Sequence, residues 1–161
     1  MINNTKNMTI RITKKQDLAA ILEMARAMVD YHHELDPYYK PSSALADLES
    51  HAEEWLEDPN MILIVAENSG KIVGYFRCAT EEAPFYSKAK KIGTVADVFV
   101  AREYRRKGAA SQMFEKALEW FKKKKVQNIE LNVDFRNTGA IAVWKKMGFF
   151  EYKLRMRKDL D

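Results

Sequence analysis

Three observations predict an α/β fold. Apolar patterns with strand and helix spacing follow one another as strand, helix, helix, three strands, helix, strand, helix, strand. Two strongly apolar strand patterns meet at Ser69-Gly70, a two-residue turn signal for an antiparallel hairpin. The later strands are separated by helical patterns, so they must be joined by crossovers and lie parallel. With 161 residues, 47% of them hydrophobic, the chain can bury one core, and a single domain over 1–161 is expected.

The elements follow in order. "MTIRIT" alternates as a short strand, and Leu18, Ile21, Leu22, Ala25 and Val29 then hold helical spacing until "LDPYYKPSS" breaks it. A second helix is expected from Ser42 or Ser43 as N-cap, with Leu45, Leu48, Ala52, Trp55 and Leu56 on one face and "EDPN" as its stop. "MILIVAENSGKIVGYFRCAT" is the hairpin, "EEAPFYSKAKK" a polar loop and "TVADVFV" the next strand. Ala110, Met113, Phe114, Ala117, Leu118 and Phe121 keep one face of a third helix apolar, and the lysines at 122–125 suit the negative end of its dipole. "IELNV" is a strand, Asn137 caps a short helix that stops at Gly148, and a last strand is expected through "EYKLRMRKDL".

The longest apolar run, "MILIVA", is far below the ~18 residues of a membrane span, and the polar opening "MINNTKN" has no signal-peptide core. A lone cysteine, Cys78, forms no intramolecular disulfide, so a cytoplasmic location is expected and the Asn-x-Thr matches at Asn3 and Asn7 are not glycan sites. The net charge of +4 is unevenly spread: Met1 to Ala101 carries 11 Lys and Arg against 15 Asp and Glu, and the remainder 16 against 8. That split suits an anionic partner for the second half and a cationic one for the first. Nucleic acid is not expected, since the lysine run has no interleaved aromatics.

"REYRRKGAASQMF" places four cations and three small residues between a strand and a helix N-terminus. Unpaired backbone N–H groups and the positive dipole end point the same way there, which makes an anion site. Gly108, Ala109 and Ala110 permit close approach to the backbone, while Arg105, Arg106 and Lys107 add charge. No Gly-Lys-Ser/Thr and no glycine triplet is present, so neither a nucleoside triphosphate nor a dinucleotide is indicated. A diphosphate is.

These residues resemble the Arg/Gln-x-x-Gly-x-Gly/Ala signature of the GCN5-related N-acetyltransferase (GNAT) superfamily. "NTGAIAVWKKMGFF" is similar to the family's second block, Asn-x-x-Ala-x-x-x-Tyr-x-x-x-Gly-Phe, at Asn137, Ala140, Gly148 and Phe149. The resemblance implies the acyl-CoA N-acyltransferase fold, a mixed central sheet flanked by helices on both faces. It also implies acetyl-CoA as cosubstrate, with its pyrophosphate on the basic turn. Backbone groups of Val98, Phe99 and Val100, together with Asn137, would then hold the pantetheine arm. A homodimer is admitted by the same resemblance.

Acetylating an amine requires the amine neutral, and deprotonating an alkylamine of pKa ~10.4 at pH 7 costs about 4.6 kcal/mol. Asp97 is the candidate base, because a carboxylate inside "VADVFV" is otherwise poorly placed in a central strand. The run resembles Glu-Asp-Phe-Phe-Val of the polyamine acetyltransferase branch, with Ala96 in place of the Glu. Binding of substrate and a structural ion pair are the other roles open to Asp97. At the family's tyrosine acid stands Trp144, which either packs beside the CoA chain or fills the core, and Tyr152, Tyr86, Tyr38 and Tyr39 are alternative donors beside water. His32, His33 and His51 do not recur at metal spacing, so no metal site is expected, and Cys78 has no neighbouring base.

Between Tyr31 and Asp58 stand eight acids and one base, Lys40. In the resembling family this region forms the acceptor wall, and an acidic wall rich in tyrosine suits an ammonium. The expected activity is direct acetyl transfer from acetyl-CoA to a polyamine-like or amino-acid-like small amine. A protein lysine or N-terminal amine is the alternative acceptor, and a non-catalytic acyl-CoA-binding module the alternative class.

Overall fold

A computed structural model describes residues 8–160; the polar opening and the Asn3 and Asn7 matches lie outside them. The strands are β1 Met8–Ile12, β2 Met61–Asn68, β3 Lys71–Glu82, β4 Lys91–Val100 and β5 Asn128–Leu131. The helices are α1 Leu18–Leu35, α2 Leu48–Glu57, α3 Ala109–Lys123 and α4 Thr138–Lys146. The sheet order is β1-β2-β3-β4-β5, antiparallel as far as β4, with β5 parallel to β4. Ser69 (φ 51°) and Gly70 (φ 82°) are both left-handed, the backbone that matches hairpin twist.

Strand alternation divides the core in two. Ile62, Ile64, Phe76, Cys78 and Val95 face Met113, Phe114, Ala117 and Phe121 of α3. Leu63, Val65 and Tyr75 face Ile21, Met24 and Ala25 of α1, with Trp55 and Leu56 of α2 packed alongside. Helices therefore cover both faces of a mixed sheet. Burial pushes the Cys78 thiol and the Tyr75 phenol well above their ordinary ranges, so neither ionises near neutral pH. Among the described residues no helix is long and apolar enough to cross a membrane.

Two expectations need correction. The second helix begins at Leu48, and Ser42 is not its cap. Ser42 lies in a short 3-10 turn, where its N–H and hydroxyl both donate to the Asp30 carboxylate, at 2.7 and 2.9 Å. The serine ties the loop to α1 instead. The expected last strand, 151–160, has no ladder partner among the described residues, and every one of its residues is exposed. Lys153, Arg155, Arg157 and Lys158 interleave its apolar residues, and Leu154 and Met156 remain 80% and 84% exposed. Alternation without a buried face does not fix a strand in register.

At the far edge of the sheet, Arg11 of β1 donates to both oxygens of Asp17, at 2.7 and 2.9 Å, and to Glu67 of β2 at 2.8 Å. The Asp17 side chain is 5% exposed and also accepts the Lys14 N–H. This knot fixes the start of α1 against the β1–β2 pair. The Arg11 hydrogen bonds hold the Asp17 carboxyl below the usual carboxylate range. Its stabilising contribution is present above the unfolded pKa of about 3.9 and is lost as pH falls through the lower folded value. Asp17→Asn should cost about 2–3 kcal/mol at pH 7, and less than that at pH 3, by urea unfolding. Equal loss at both pH values would contradict the pairing.

Under α3, a Cβ placed at Gly93 would lie 2.4 Å from Phe121 Cε1 and 2.7 Å from its Cδ1. The Phe121 ring is buried and cannot swing aside cheaply. Gly93→Ala should lower stability by about 1–3 kcal/mol, read as a shifted urea midpoint at unchanged slope.

Candidate active site

β4 outruns its parallel partner. Its pairing with β5 ends at Val95 and Leu131, while β4 continues to Val100. The Ala101 N–H donates to Val73 O, which sets the alternation toward β3. Phe99 and Asp97 thus direct their backbone groups into the β3 ladder. Those of Val98, and the Val100 N–H, face the gap left by β5. The Val100 carbonyl is taken by Arg105 Nε at 2.8 Å.

A bulge lies at the same level. Arg77 pairs with Asp97 and Cys78 with Val95, so Ala96 is an extra residue on β4 and is exposed. Val95 packs in the α3 core, and two residues later an unbulged strand would place Asp97 there too. The bulge turns Asp97 to the α1–α2 face, where its Oδ2 accepts from Arg77 Nε at 2.5 Å. The Arg77 guanidinium in turn stacks 4.3 Å over the Trp55 ring. A carboxylate in a central strand is thereby tolerated, and it is partnered.

The basic turn leads from the end of β4 into α3. Arg102–Tyr104 form one 3-10 turn, Arg106 (φ 60°) and Gly108 (φ 83°) are left-handed, and Gly108 caps α3. The first helical bond runs from the Gln112 N–H to Gly108 O, so the N–H groups of Ala109, Ala110 and Ser111 lack helical acceptors. A Cβ on Gly108 would meet nothing nearer than Gln112 Nε2 at 3.5 Å. The space above this backbone is open to an anion, and the glycine is required by its φ. Of the basic side chains, Arg105 is engaged with Val100 and lies 5.7 Å from the Phe99 ring, Lys107 lies 5.4 Å from the Tyr104 ring, and Arg106 is exposed.

Asn137 caps α4 by accepting the Ala140 N–H at 3.1 Å, which leaves its amide nitrogen free to donate. Trp144 stands edge-on to Phe76, Phe114 and Phe149, with ring centroids 6.2, 6.3 and 5.4 Å away. It packs α4 against α3. The Tyr152 hydroxyl donates to Glu130, which holds its pKa up to about 12. That makes it a poorer acid than an ordinary tyrosine.

The residues that sequence reasoning missed surround the gap's other wall. Arg136 forks onto Asp134, at 2.8 and 2.6 Å, and reaches Asp36 at 3.2 Å. The end of α1 is thereby clipped to the segment between β5 and Asn137. The Arg136 fork brings the Asp134 carboxyl down to about 2. Many acids of the first half are likewise committed: Asp30 to Ser42, Glu49 to Arg26, and Asp36 to Arg136 and Arg157.

The Acetyltransferase (GNAT) family profile matches residues 26–149, from within α1 to the end of the second motif. An uncharacterized N-acetyltransferase of Methanocaldococcus jannaschii is 30% identical over 153 residues, which cover 92% of this chain; the chain spans 63% of that protein's length. A Bacillus halodurans protein superposes with a TM-score of 0.84 at 20% identity, over 94% of this chain and 99% of the other. An aminoglycoside N-acetyltransferase solved in complex with CoA superposes with a TM-score of 0.79 at 17% identity, over 99% of each chain. The chain belongs to the Acetyltransferase (GNAT) family.

Proposed function

We propose that this chain is a cytoplasmic acetyl-CoA-dependent N-acetyltransferase of small primary amines, polyamine-like or amino-acid-like, acting as one domain. The observation that carries the reading is the gap beside β4, open above an α3 N-terminus whose amides and dipole suit an anion. Acetyl-CoA would supply the activated acetyl group. The N–H groups of Ala109, Ala110 and Ser111, with Arg106 and Lys107 nearby, would take its pyrophosphate. Val98, Val100 and the Asn137 amide would bind the pantetheine arm, which carries peptide-like groups of matching spacing. The Phe99 backbone, expected to hold the arm, is committed to the β3 ladder and is not available to it, and Arg105 acts by holding the end of β4. Trp144 supports the wall by packing.

Asp97 is proposed to assist deprotonation of the acceptor. Its Oδ2 is held by Arg77, so Oδ1 is the oxygen available to the amine or to an intervening water. An acceptor arriving from the α1–α2 face meets this carboxylate before it meets the gap. Support for the amine class comes from the acids and tyrosines on that face.

Gly108→Glu should weaken CoA binding about a hundredfold or more, read by calorimetry, because it sets bulk and negative charge against the phosphates. Unchanged affinity in a folded variant would remove the site. Asp97→Asn should lower kcat/KM about ten- to a hundredfold on every acceptor in a panel followed by thiol release, and flatten the acidic limb of the pH profile, with CoA affinity unchanged. A wild-type profile would exclude Asp97 from the chemistry.

A further inference from the structure

The Asp36 carboxylate and the Tyr38 ring lie together at the end of α1, and a guanidinium of the same chain rests against both. Arg157 Nη1 donates to Asp36 Oδ2 at 3.1 Å, and its Cζ lies 4.1 Å over the Tyr38 ring. A carboxylate beside an aromatic face is the pair of contacts that recognises an organic cation. We infer that Asp36 and Tyr38 form the seat for a second cationic group on the acceptor, and that Arg157 fills this seat until the acceptor displaces it. The inference rests on the proposed acetylation of an amine at the neighbouring gap.

The seat does not depend on its present occupant. Asp36 accepts the Tyr38 N–H at 3.1 Å and is held by Arg136 at 3.2 Å, contacts that do not involve Arg157. Through Arg136 and Asp134 it is fixed to the edge of the gap, one and three residues from Asn137. The occupant, by contrast, is loosely held. Residues 151–160 have no ladder partner among the described residues, and their other ties are Tyr152 to Glu130, Lys145 to Glu151 and Arg157 to Asp159, all exposed. Releasing Arg157 uncovers no core.

Charge favours replacement over vacancy. Asp36 and Asp134 face Arg136, so departure of Arg157 leaves one negative charge uncompensated at the seat. A planar guanidinium on the acceptor reproduces both contacts of Arg157, whereas a compact ammonium matches the carboxylate and stacks less well. The favoured acceptor is therefore an alkylamine with a distal guanidinium, followed by a diamine, and then a neutral-tailed amine.

The test uses butylguanidinium, which has the cation but no amine to acetylate. Added to the full chain, it should shift the Tyr38 ring resonances in an NMR titration. Arg157→Ala should bind it about three- to tenfold tighter, the competition expected of one exposed ion pair and one cation–π contact. Asp36→Asn should lose the response. In turnover assays, Arg157→Ala should lower KM for 4-aminobutylguanidine by the same factor and leave KM for butylamine where it was. Equal affinity in wild type and Arg157→Ala, or undiminished binding in Asp36→Asn, overturns the seat. If no amine is acetylated by any form, the proposed activity fails, and the titration still decides whether the seat exists.

Discussion

The early end of the β4–β5 ladder governs the arrangement of everything around it. Only four residue pairs join these parallel strands, and beyond Val95 the outer side of β4 has no strand to bond among the described residues. Unpaired backbone groups are costly when sealed from water, so such a gap persists where solvent or a ligand can reach it. The chain makes further use of the same level. The Ala96 bulge, the departure of β5 toward α4 and the turn into α3 all fall beside the exposed end of β4. One interruption of sheet pairing thus brings together a polar strand edge, a helix N-terminus and the cap of a second helix.

The bulge also resolves a conflict between charge and burial. Asp97 in register with Val95 would enter the apolar α3 core unpaired, a cost no single hydrogen bond offsets. Shifted by one residue, it meets Arg77, whose own charge is spread over the Trp55 ring. The pair connects β3, β4 and α2, so its geometry is set by three elements rather than by a loop. A carboxylate held this firmly can present its second oxygen in a constant position, which is what a proton acceptor needs and what a mobile surface acid lacks.

Much of this was legible from the residues. The hairpin at Ser69-Gly70, the cap at Asn137, the stop at Gly148 and the apolar faces of α1 and α3 follow from local rules that operate whatever lies elsewhere. Ser42 was misread because a serine before an acidic, apolar-periodic run satisfies the capping rule, yet Asp30, twelve residues upstream, offers it a stronger partner. The last strand was misread because alternation indicates a strand only where a neighbour buries one face. The acidic first half looked like a free negative field. Pairing across the fold commits many of its carboxylates, and composition cannot reveal pairs between residues as distant as Asp36 and Arg157.

Trp144 shows how one substitution within a motif redistributes work. An indole N–H has no useful acidity, and its ring is engaged edge-on by Phe76, Phe114 and Phe149. Those contacts lock α4 onto α3, and Asn137, the residue just before α4, caps it with its side chain. The aromatic cluster therefore sets the position of the Asn137 side chain. Tyr152 offers little in exchange as an acid, since the hydrogen bond it donates to Glu130 makes its proton harder to release. Amide formation releases one proton from nitrogen for each proton a departing thiolate takes up. A site built this way can balance the two through water, without a dedicated acid at the position where Trp144 now stabilises the wall.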